Sequence, residues 1–285
     1  MVSRTGFVSS VVGSGLMALS GFSSTAAAGV FASGVVEYVP GNNVSASLQH
    51  SGAAVGLPTS VDGGDVSPFT PPFSTSNIVI IGPTGHITLQ LSAPITEATG
   101  EEIGVFTNTG LPTKNVGGVI TAGTGTLGQA DTAIISVSQN GVDWVALNSG
   151  NPLDLTMPSN AFNDAVLSGT GSVSISGGTA AANPFEPFHG TLAEFSGLTY
   201  PQMQTVFAGS FGGAWVDASS AGLSEIDYVR FDVPTGDRLV LDAVTGVPEP
   251  ATAAVLLGGA LVLLRRRRSA GPSALASVVR NGAAT

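Results

Sequence analysis

The sequence predicts a mainly β protein built as a β-sandwich, with one apolar helix expected near each end of the chain. Three observations favour this fold class. Glycine is frequent, with 39 residues, while charged residues make up only 10% of the 285 residues. Short β-branched or alternating runs recur between Gly-, Pro- and Asn-rich turns. Helical periodicity is scarce, and no repeat is sustained as in a solenoid.

Residues 1–28 have the pattern of a secretory signal. Arg4 is the one charged residue, a small and apolar segment follows over Phe7–Phe22, and Ala26 and Ala28 are small residues suited to signal cleavage. Three glycines dilute this apolar segment. An uncleaved N-terminal anchor is therefore the alternative to a removed signal helix.

The segment 29–75 is rich in Gly, Ser, Pro and Asn, and it contains one short strand pattern, Val35–Val39. Asp62 and Asp65 flank a pair of glycines. These carboxylates could contribute to a Ca²⁺ loop, but the 12-residue pattern of alternating acids that binds Ca²⁺ is missing from the sequence. A plain turn is favoured, and no cofactor is predicted.

Strand patterns dominate from Asn77 onward, and one short helix is expected over Thr199–Phe207 because Met203, Val206 and Phe207 fall at helical spacing. The segment 148–183 is low in charge and predicted to be mostly loop. The predicted strands are Ile78–Ile81, His86–Leu91, Ile103–Thr107, Thr132–Ser138, Val142–Leu147, Ser172–Ser176, Ile226–Val233 and Arg238–Val244.

Asn140-Gly141 is the strongest signal for a two-residue hairpin turn, since both residues tolerate the left-handed backbone that such turns need. The turn would join the strands Thr132–Ser138 and Val142–Leu147. Trp144 then lies on the face opposite Val145 and Leu147, and burial in the core is its expected role.

Charge and composition exclude several classes of function. Residues 29–246 contain 18 acidic residues against three basic ones, Lys114, Arg230 and Arg238, a net charge near −15. A nucleic-acid partner is therefore not expected, because phosphate contacts need a basic surface. The chain has no cysteine, which excludes disulfides, thiolate metal sites and a cysteine nucleophile.

A search for catalytic motifs finds none that is specific, so no catalytic or metal-binding residue is predicted. His50, His86 and His189 lie in unrelated contexts, without the spacing of zinc motifs. The GxGxxG match at Gly123–Gly128 has no following helix pattern, and chance explains it in a glycine-rich chain. The glutamates Glu101, Glu102, Glu186 and Glu194 are interpreted as surface acids, although a facing carboxylate pair leaves no trace in sequence.

Aromatic residues in loop-like segments are the other candidates for a binding site, because such residues stack on sugar faces in sandwich proteins. Packing is the favoured role for each, so no specific ligand-binding residue is predicted. These aromatics are Phe69, Phe73, Phe185, Phe188 and Trp215.

The most specific pattern lies near the C-terminus. Val247, Pro248, Glu249 and Pro250 precede the uncharged segment Ala251–Leu264, and the basic run Arg265, Arg266, Arg267 and Arg268 follows. A helix over Ala251–Leu264 would be about 21 Å long, against a hydrocarbon core of about 30 Å. Snorkelling arginines supply part of the difference and keep that end cytoplasmic.

This order of parts resembles the PEP-CTERM sorting signal of exported bacterial proteins. The resemblance implies recognition and processing by an exosortase, a membrane enzyme, and delivery to exopolysaccharide or the cell surface. It divides the chain into a signal peptide (1–28), an ectodomain (29–246), a sorting signal with a transmembrane helix (247–268) and a disordered cytoplasmic tail (269–285). The tail departs from the family, whose members usually end soon after the arginines. A plain single-pass anchor is the alternative.

The ectodomain resembles discoidin-like or galactose-binding-like jelly rolls. The segments that carry this likeness are Gly85–Ile95, Ile134–Leu147, Gly209–Asp217, Gly222–Val233 and Leu239–Val244. Thr107-Asn108 replaces the Phe-Glu-Asn that usually ends one family strand, so no acidic site residue carries over there.

Two functions follow as hypotheses. The first is a non-enzymatic surface or extracellular-matrix protein, membrane-anchored before processing, whose sandwich binds exopolysaccharide or serves as a structural component. The second is a secreted polymer-degrading hydrolase with the same sorting tail. A hydrolase needs two facing carboxylates, or a cluster that contains histidine, in a deep groove.

Overall fold

A computed structural model describes residues 29–96, 101–167 and 173–247. The protein is mainly β, with a large antiparallel sheet and few helices, an arrangement consistent with a β-sandwich. The predicted signal segment 1–28 and the segment 248–285, with the predicted transmembrane helix, lie outside the described residues. Within the described ranges, no helix is long and apolar enough to cross a membrane.

Fourteen strands, one α-helix and five short 3-10 helices make up the described part of the chain. The strands are β1 (Val30–Val39), β2 (Val79–Ile81), β3 (His86–Thr96), β4 (Ile103–Thr107), β5 (Thr113–Val116), β6 (Val119–Ala122), β7 (Thr132–Ser138), β8 (Val145–Ala146), β9 (Leu153–Asp154), β10 (Val166–Leu167), β11 (Ile175–Ser176), β12 (Ala214–Val216), β13 (Glu225–Asp232) and β14 (Leu239–Gly246). The helix is α1 (Tyr200–Phe207), and the 3-10 helices cover Ala46–Leu48, Ser51–Ala54, Leu147–Gly150, Leu192–Phe195 and Ser219–Ala221.

Strand β1 connects the two halves of the main sheet. Val30 and Phe31 pair with the end of β14, whereas Ala32–Val39 pair with β3. The strand order is β12-β4-β14-β1-β3-β13-β7-β8, with β2 beside β14 and β9 beside β7. Strands β12 and β8 therefore lie at opposite ends of this order, with β1 near its middle.

One hydrophobic core contains residues from both halves of the sheet. Strands β3, β7 and β13 contribute one set of alternating side chains, and β2, β4 and β14 contribute the other. Leu241 and Val244 both join this core although they are three residues apart, because a bulge between Leu241 and Ala243 resets the alternation of β14. The two halves consequently pack against each other like the layers of a sandwich.

A second core covers the opposite face of β4 and β14. Phe106 and Ala243 point into it, and helix α1 contributes Tyr200, Met203 and Phe207. Phe188, Phe195 and Phe207 form a cluster of three rings, with centroids 5.0–5.8 Å apart. Strand β14 is therefore buried along its whole length, which explains why all its residues except Asp242 and Thr245 are apolar.

Helix α1 begins one residue after its predicted start and ends at the predicted residue. Thr199 and Gln202 form a capping box, and Pro201 lies in the first turn, where its missing N–H carries no penalty. Ala208 ends the helix in a left-handed conformation. The strands β4 and β7 also have the predicted bounds.

The predicted hairpin around Asn140-Gly141 forms with a longer connection than expected. β7 ends at Ser138 and β8 begins at Val145, so the connection is not a two-residue turn. The Asn140 carbonyl oxygen Oδ1 accepts hydrogen bonds from the N–H groups of Val142 and Asp143, which stabilises the wider turn. The expected burial of Trp144 in the core is wrong, since its side chain is only half-buried.

The close approach of Gly213 to β4 gives a test of the second core. Gly213 has φ +75°, and a Cβ atom there would lie 2.7 Å from the Phe106 ring and 2.9 Å from the Val105 carbonyl oxygen. We expect Gly213→Ala to lower the free energy of unfolding by roughly 2–4 kcal/mol, from backbone strain together with overpacking.

Chemical denaturation measures this loss of stability, and Gly209→Ala is the matched control variant. Gly209 also has a positive φ, of +98°, but a Cβ atom added there would meet no heavy atom within 4 Å among the described residues. Only strain should appear there, roughly 1–2 kcal/mol. Equal losses in the two variants would contradict the tight packing assigned to Gly213.

Candidate functional site

The candidate site is a cleft between the free edges of the two sheet halves. Its walls are the segment from Ala146 to Leu155, which carries β8 and β9, and the segment from Ala214 to Ser220, which begins with β12. The cleft has a volume of about 510 Å³. That volume lies in the range of small-molecule sites.

The inner wall of the cleft is apolar. Leu147, Leu155 and Val216 belong to the first core, whereas Trp215 belongs to the second. The Trp215 ring packs edge-on against Phe106, and its Nε1–H donates a hydrogen bond of 3.0 Å to the Gly212 carbonyl oxygen. These contacts fix the indole, so a ligand would meet a rigid aromatic edge in the wall.

The rim of the cleft is polar and acidic. Asn148, Ser149, Asp154, Asp217 and Ser220 line it, and all five are exposed. Hydrogen bonds from the Ser219 side chain and backbone hold the pKa of Asp217 below its usual range. Asp217 is therefore an ionised acceptor at neutral pH. No Lys, Arg or His lines the cleft among the described residues.

The loop at one side of the rim has an unusual backbone. Asn148 and Ser149 are consecutive non-glycine residues in the left-handed region, with φ +50° and +54°. The Asn148 carbonyl oxygen accepts hydrogen bonds from the Asn151 backbone N–H at 3.0 Å and from its side-chain amide at 2.9 Å. These bonds hold the loop and keep the Asn148 and Ser149 side chains at the rim.

A second depression of about 560 Å³ lies over residues 49–53, Thr75 and Ser76. Its lining residues are small or polar, and none of them is buried. It lacks the combination of an apolar wall with a polar rim that is typical of ligand sites. The cleft at the sheet edges is accordingly the better candidate.

Some of the five loop aromatics are buried in the fold, and others are exposed to solvent. Phe69, Phe188 and Trp215 are buried, as predicted, and Phe185 is half-buried. The packing role predicted for Phe73 is wrong, since 63% of its surface is exposed. Of the five, Trp215 alone lines the cleft. Neither its position in the sequence nor the residues around it distinguish it from the other four aromatics.

The glutamates and histidines named in the sequence do not gather in the cleft. His189 Nδ1 lies 3.0 Å from Glu101 Oε2, but this pair is on the surface. His86 Nε2 lies 3.2 Å from Glu37 on the outer face of the sheet. Glu194 belongs to the capping box of a 3-10 helix, with Thr191. Glu186 and His50 are exposed elsewhere.

Glu102 is buried, contrary to the prediction of a surface acid, and has a structural role. Its Oε2 accepts a hydrogen bond of 2.9 Å from the Ala218 N–H. Its backbone N–H donates to the Val216 carbonyl oxygen, and its carbonyl oxygen accepts from the Val247 N–H at 3.0 Å. Glu102 therefore connects the segment after β12 with the end of the described fold.

Two further acids, Asp131 and Asp242, are buried although no sequence pattern marks them. Burial raises the pKa of Asp131 to about 6 and that of Asp242 to about 7. Asp131 accepts a hydrogen bond of 2.7 Å from the Val240 N–H, and Asp242 accepts from the Thr59 backbone and hydroxyl at 2.9 and 2.7 Å. Both carboxyls hold neighbouring backbone in place, and neither lines the cleft.

The Asp62–Asp65 segment is a turn, as predicted. Asp62 Oδ2 accepts hydrogen bonds of 2.8 Å from the Phe73 and Ser74 N–H groups. Asp65 Oδ2 accepts one of 2.8 Å from the Gly178 N–H. Across the described ranges, no group of three or more His, Asp or Glu side chains is placed to hold a metal ion.

The sorting residues predicted from sequence fall mostly beyond the described fold. Val247 is the last described residue; it follows β14 directly and packs against the second core. Pro248, Glu249, Pro250, Arg265, Arg266, Arg267 and Arg268 lie outside the described residues, as do Ala26 and Ala28.

Comparison with known proteins identifies no family for this chain. No protein-family model matches the chain, and a search of curated proteins found no significant match.

Proposed function

We propose that this chain is an exported, non-enzymatic surface or matrix protein that an exosortase-type enzyme sorts through its C-terminal signal. The observation that carries the proposal is the order Val-Pro-Glu-Pro, apolar segment and arginine run over Val247–Arg268. The likeness to the PEP-CTERM signal implies a membrane-anchored precursor and a processed product at the cell surface or in exopolysaccharide.

The end of the fold supports this proposal. β14 runs to Gly246, and the Val247 N–H is bonded to the Glu102 carbonyl oxygen. Cleavage after Val247 would leave every strand pair of β14 intact, whereas cleavage within β14 would remove a buried strand. The sorting segment and the described fold therefore share a single residue, Val247, and the strand pairs of β14 end before it, at Gly246.

The start of the fold supports it as well. Val30 pairs with Gly246, so the first and last strands are neighbours at the point where the chain enters and leaves the sheet. The predicted signal peptide ends two residues before Val30. A domain bounded in this way can lose both targeting segments without losing a core residue, as sorting requires.

Once exported, the ectodomain serves in a polysaccharide matrix, as a jelly-roll-like sandwich that binds polysaccharide. The supporting observations are the two sheet halves around a common core and the cleft at their free edges. The hydrolase alternative needs a general acid with a raised pKa beside a second carboxyl group. Asp217 has a lowered pKa, so it suits a hydrogen-bond acceptor better than a general acid.

Replacing Pro248-Glu249-Pro250 by three alanines tests the sorting proposal. We expect the variant to accumulate as unprocessed precursor in the producing cell, because the segment that the processing enzyme recognises is gone. Mass spectrometry of the C-terminus measures the result directly. The wild-type surface protein should end well before Thr285.

One control and one further variant accompany this experiment. Replacing Pro234 by alanine changes another proline, outside the sorting segment, and should leave processing unchanged. Deleting Arg265–Arg268 should block processing as the alanine variant does. A wild-type surface protein that still carries Thr285 would mean that the segment is a plain anchor.

A further inference from the structure

We infer that the cleft between β8–β9 and β12 binds a neutral, hydroxyl-rich sugar residue of a polysaccharide chain. This inference rests on the proposed function, because it names the site and the ligand class of the polysaccharide-binding ectodomain.

The position of the cleft suits a chain-like ligand. It lies between edge strands, with β12 paired to β4 on one side and β8 and β9 paired to β7 on the other. A volume of about 510 Å³ holds one or two sugar rings and not a long segment of polymer. A polysaccharide would therefore place part of its chain in the cleft and the rest over the exposed rim.

The two sides of the cleft match the two sides of a sugar ring. Ala146, Leu153 and Ala214 supply accessible apolar surface that the C–H face of a pyranose can cover. The buried side chains of Leu147, Leu155 and Val216 support this wall from behind. Across the rim, Asp154 and Asp217 accept hydrogen bonds from hydroxyl groups. A carboxylate acceptor makes such bonds about twice as strong as a neutral one does.

The Asp154 carboxylate retains capacity for a ligand. Its Oδ1 accepts one hydrogen bond of 3.0 Å from the Thr156 N–H, which fixes the side chain. A carboxylate has about four acceptor positions, so the outer oxygen remains available to hydroxyl groups. Asp217 is fixed in the same way by the Ser219 N–H, at 2.8 Å.

Charge decides which class of sugar fits. The charged groups that line the cleft are acids, and the sequence of residues 29–246 is strongly acidic as a whole. A uronic-acid polymer would bring carboxylates against Asp154 and Asp217 without a cation from the protein. Neutral sugars avoid this repulsion and still satisfy the acceptors.

The walls are held before any ligand arrives. Hydrogen bonds between Asn148 and Asn151 fix the left-handed loop, and Trp215 is fixed by Gly212 and Phe106. Such a site loses little conformational freedom when it binds a ligand. The cleft is therefore pre-organised for a ligand.

The test uses the full chain purified in a zwitterionic detergent without a sugar headgroup. The chain has two tryptophans, so Trp144→Phe leaves Trp215 as the single indole reporter in the cleft wall. Cellohexaose, xylohexaose and mannohexaose are the neutral probes, and hexagalacturonate is the anionic probe. Tryptophan emission and calorimetry report binding in parallel.

Two variants and one control locate the site. Ala146 is exposed and lines the cleft, so Ala146→Trp fills the space without disturbing the core and should weaken binding at least tenfold. Calorimetry alone reads this variant, because its added indole changes the tryptophan emission. Asp217→Asn should weaken binding by about tenfold, through loss of the charged acceptor. Asp143→Asn removes the same charge from an exposed position near β8 that does not line the cleft, and should change nothing.

Saturable binding of a neutral probe that Ala146→Trp weakens and Asp143→Asn leaves unchanged is the expected result. Binding that Ala146→Trp does not affect would place the site elsewhere and overturn the inference. So would hexagalacturonate binding as tightly as the neutral probes, or no binding by any neutral probe in calorimetry.

The binding assay on the full chain and mass spectrometry of the C-terminus of the surface protein together separate this inference from the proposed function. A correctly processed C-terminus without sugar binding would overturn the cleft assignment alone. Sugar binding by a protein that retains Thr285 at the cell surface would overturn the sorting proposal alone. Release of new reducing ends from a bound probe would favour the hydrolase alternative over a non-enzymatic role.

Discussion

Replacing Phe207 by alanine is expected to lower the free energy of unfolding by about 3–5 kcal/mol. The Phe207 ring is fully buried at the centre of the second core, with ring centroids 5.0 and 5.1 Å from those of Phe195 and Phe188. Its removal leaves a cavity that neighbouring aromatic rings cannot close, because Phe188 and Phe195 are held by their own contacts. Urea denaturation monitored by circular dichroism measures the loss.

Phe73→Ala is the matched control for this large effect. Phe73 is the same residue type, yet 63% of its surface is exposed. Its removal should change the free energy of unfolding by less than about 0.5 kcal/mol. If Phe207→Ala lowers the free energy of unfolding no more than Phe73→Ala does, α1 and the loops around it do not form a second core over β14.

The stability of the protein is expected to fall as the pH rises from about 4 to about 7, and Asp242→Asn should remove much of that fall. Burial raises the pKa of Asp242 from 3.8 to about 7. The folded state therefore holds a proton that the unfolded state releases, so the stabilisation is complete below pH 4 and is lost as the pH passes 7. With about 1.4 kcal/mol for each pKa unit, the effect is on the order of 4 kcal/mol.

Asparagine is a suitable replacement for Asp242 because it has the same shape and can keep both hydrogen bonds to Thr59. Its amide oxygen can accept the Thr59 N–H bond, and its amide nitrogen can donate to the Thr59 hydroxyl oxygen, where Asp242 now makes both contacts. At pH 8 we expect Asp242→Asn to be more stable than the wild type, since it buries no charge. At pH 4 the two should be similar.

Asp131 and Asp143 provide the comparison for this titration. Burial raises the pKa of Asp131 to about 6, so Asp131 contributes a smaller fall of the same sign, which Asp242→Asn leaves in place. Asp143 is exposed, so Asp143→Asn is the control for the loss of one surface carboxylate. Thermal unfolding between pH 4 and pH 8 tests this. A wild type that gains stability across that range would contradict the buried, protonated Asp242.

Much of the fold followed from local sequence patterns. β4 and β7 have the predicted bounds, α1 begins one residue later than predicted, and β13 and β14 differ from prediction by one or two residues at each end. These segments are strongly periodic, or they are bounded by caps and turns whose chemistry is local. The β5–β6 hairpin was missed: its first strand, Thr113–Val116, is wholly exposed and shows no alternation of apolar residues.

The candidate site was less accessible to sequence reasoning. Trp215 was named among the loop aromatics, but Asp154 and Asp217 had no motif to mark them. They meet at one cleft because β9 and β12 lie at opposite edges of a folded sheet, although more than fifty residues separate them along the chain. The sequence spacing of such residues carries no information about this approach.

The buried acids also could not be identified from the sequence. Glu102 follows Glu101 in the sequence, yet Glu101 pairs with His189 at the surface while Glu102 is buried against Ala218. Consecutive residues in an extended segment point to opposite sides, and which side is interior depends on what packs there. No local pattern distinguishes the two glutamates.

The sequence by itself determined the mainly β character and the proposed sorting signal, because alternation, turn chemistry and a Pro-Glu-Pro, apolar and arginine order are properties of neighbouring residues. The tertiary structure alone decided that β14 is covered on both faces, that Asp131 and Asp242 are buried, and that the free sheet edges enclose a cleft. Those features arise from contacts between residues far apart in the chain, which depend on how the sheet closes.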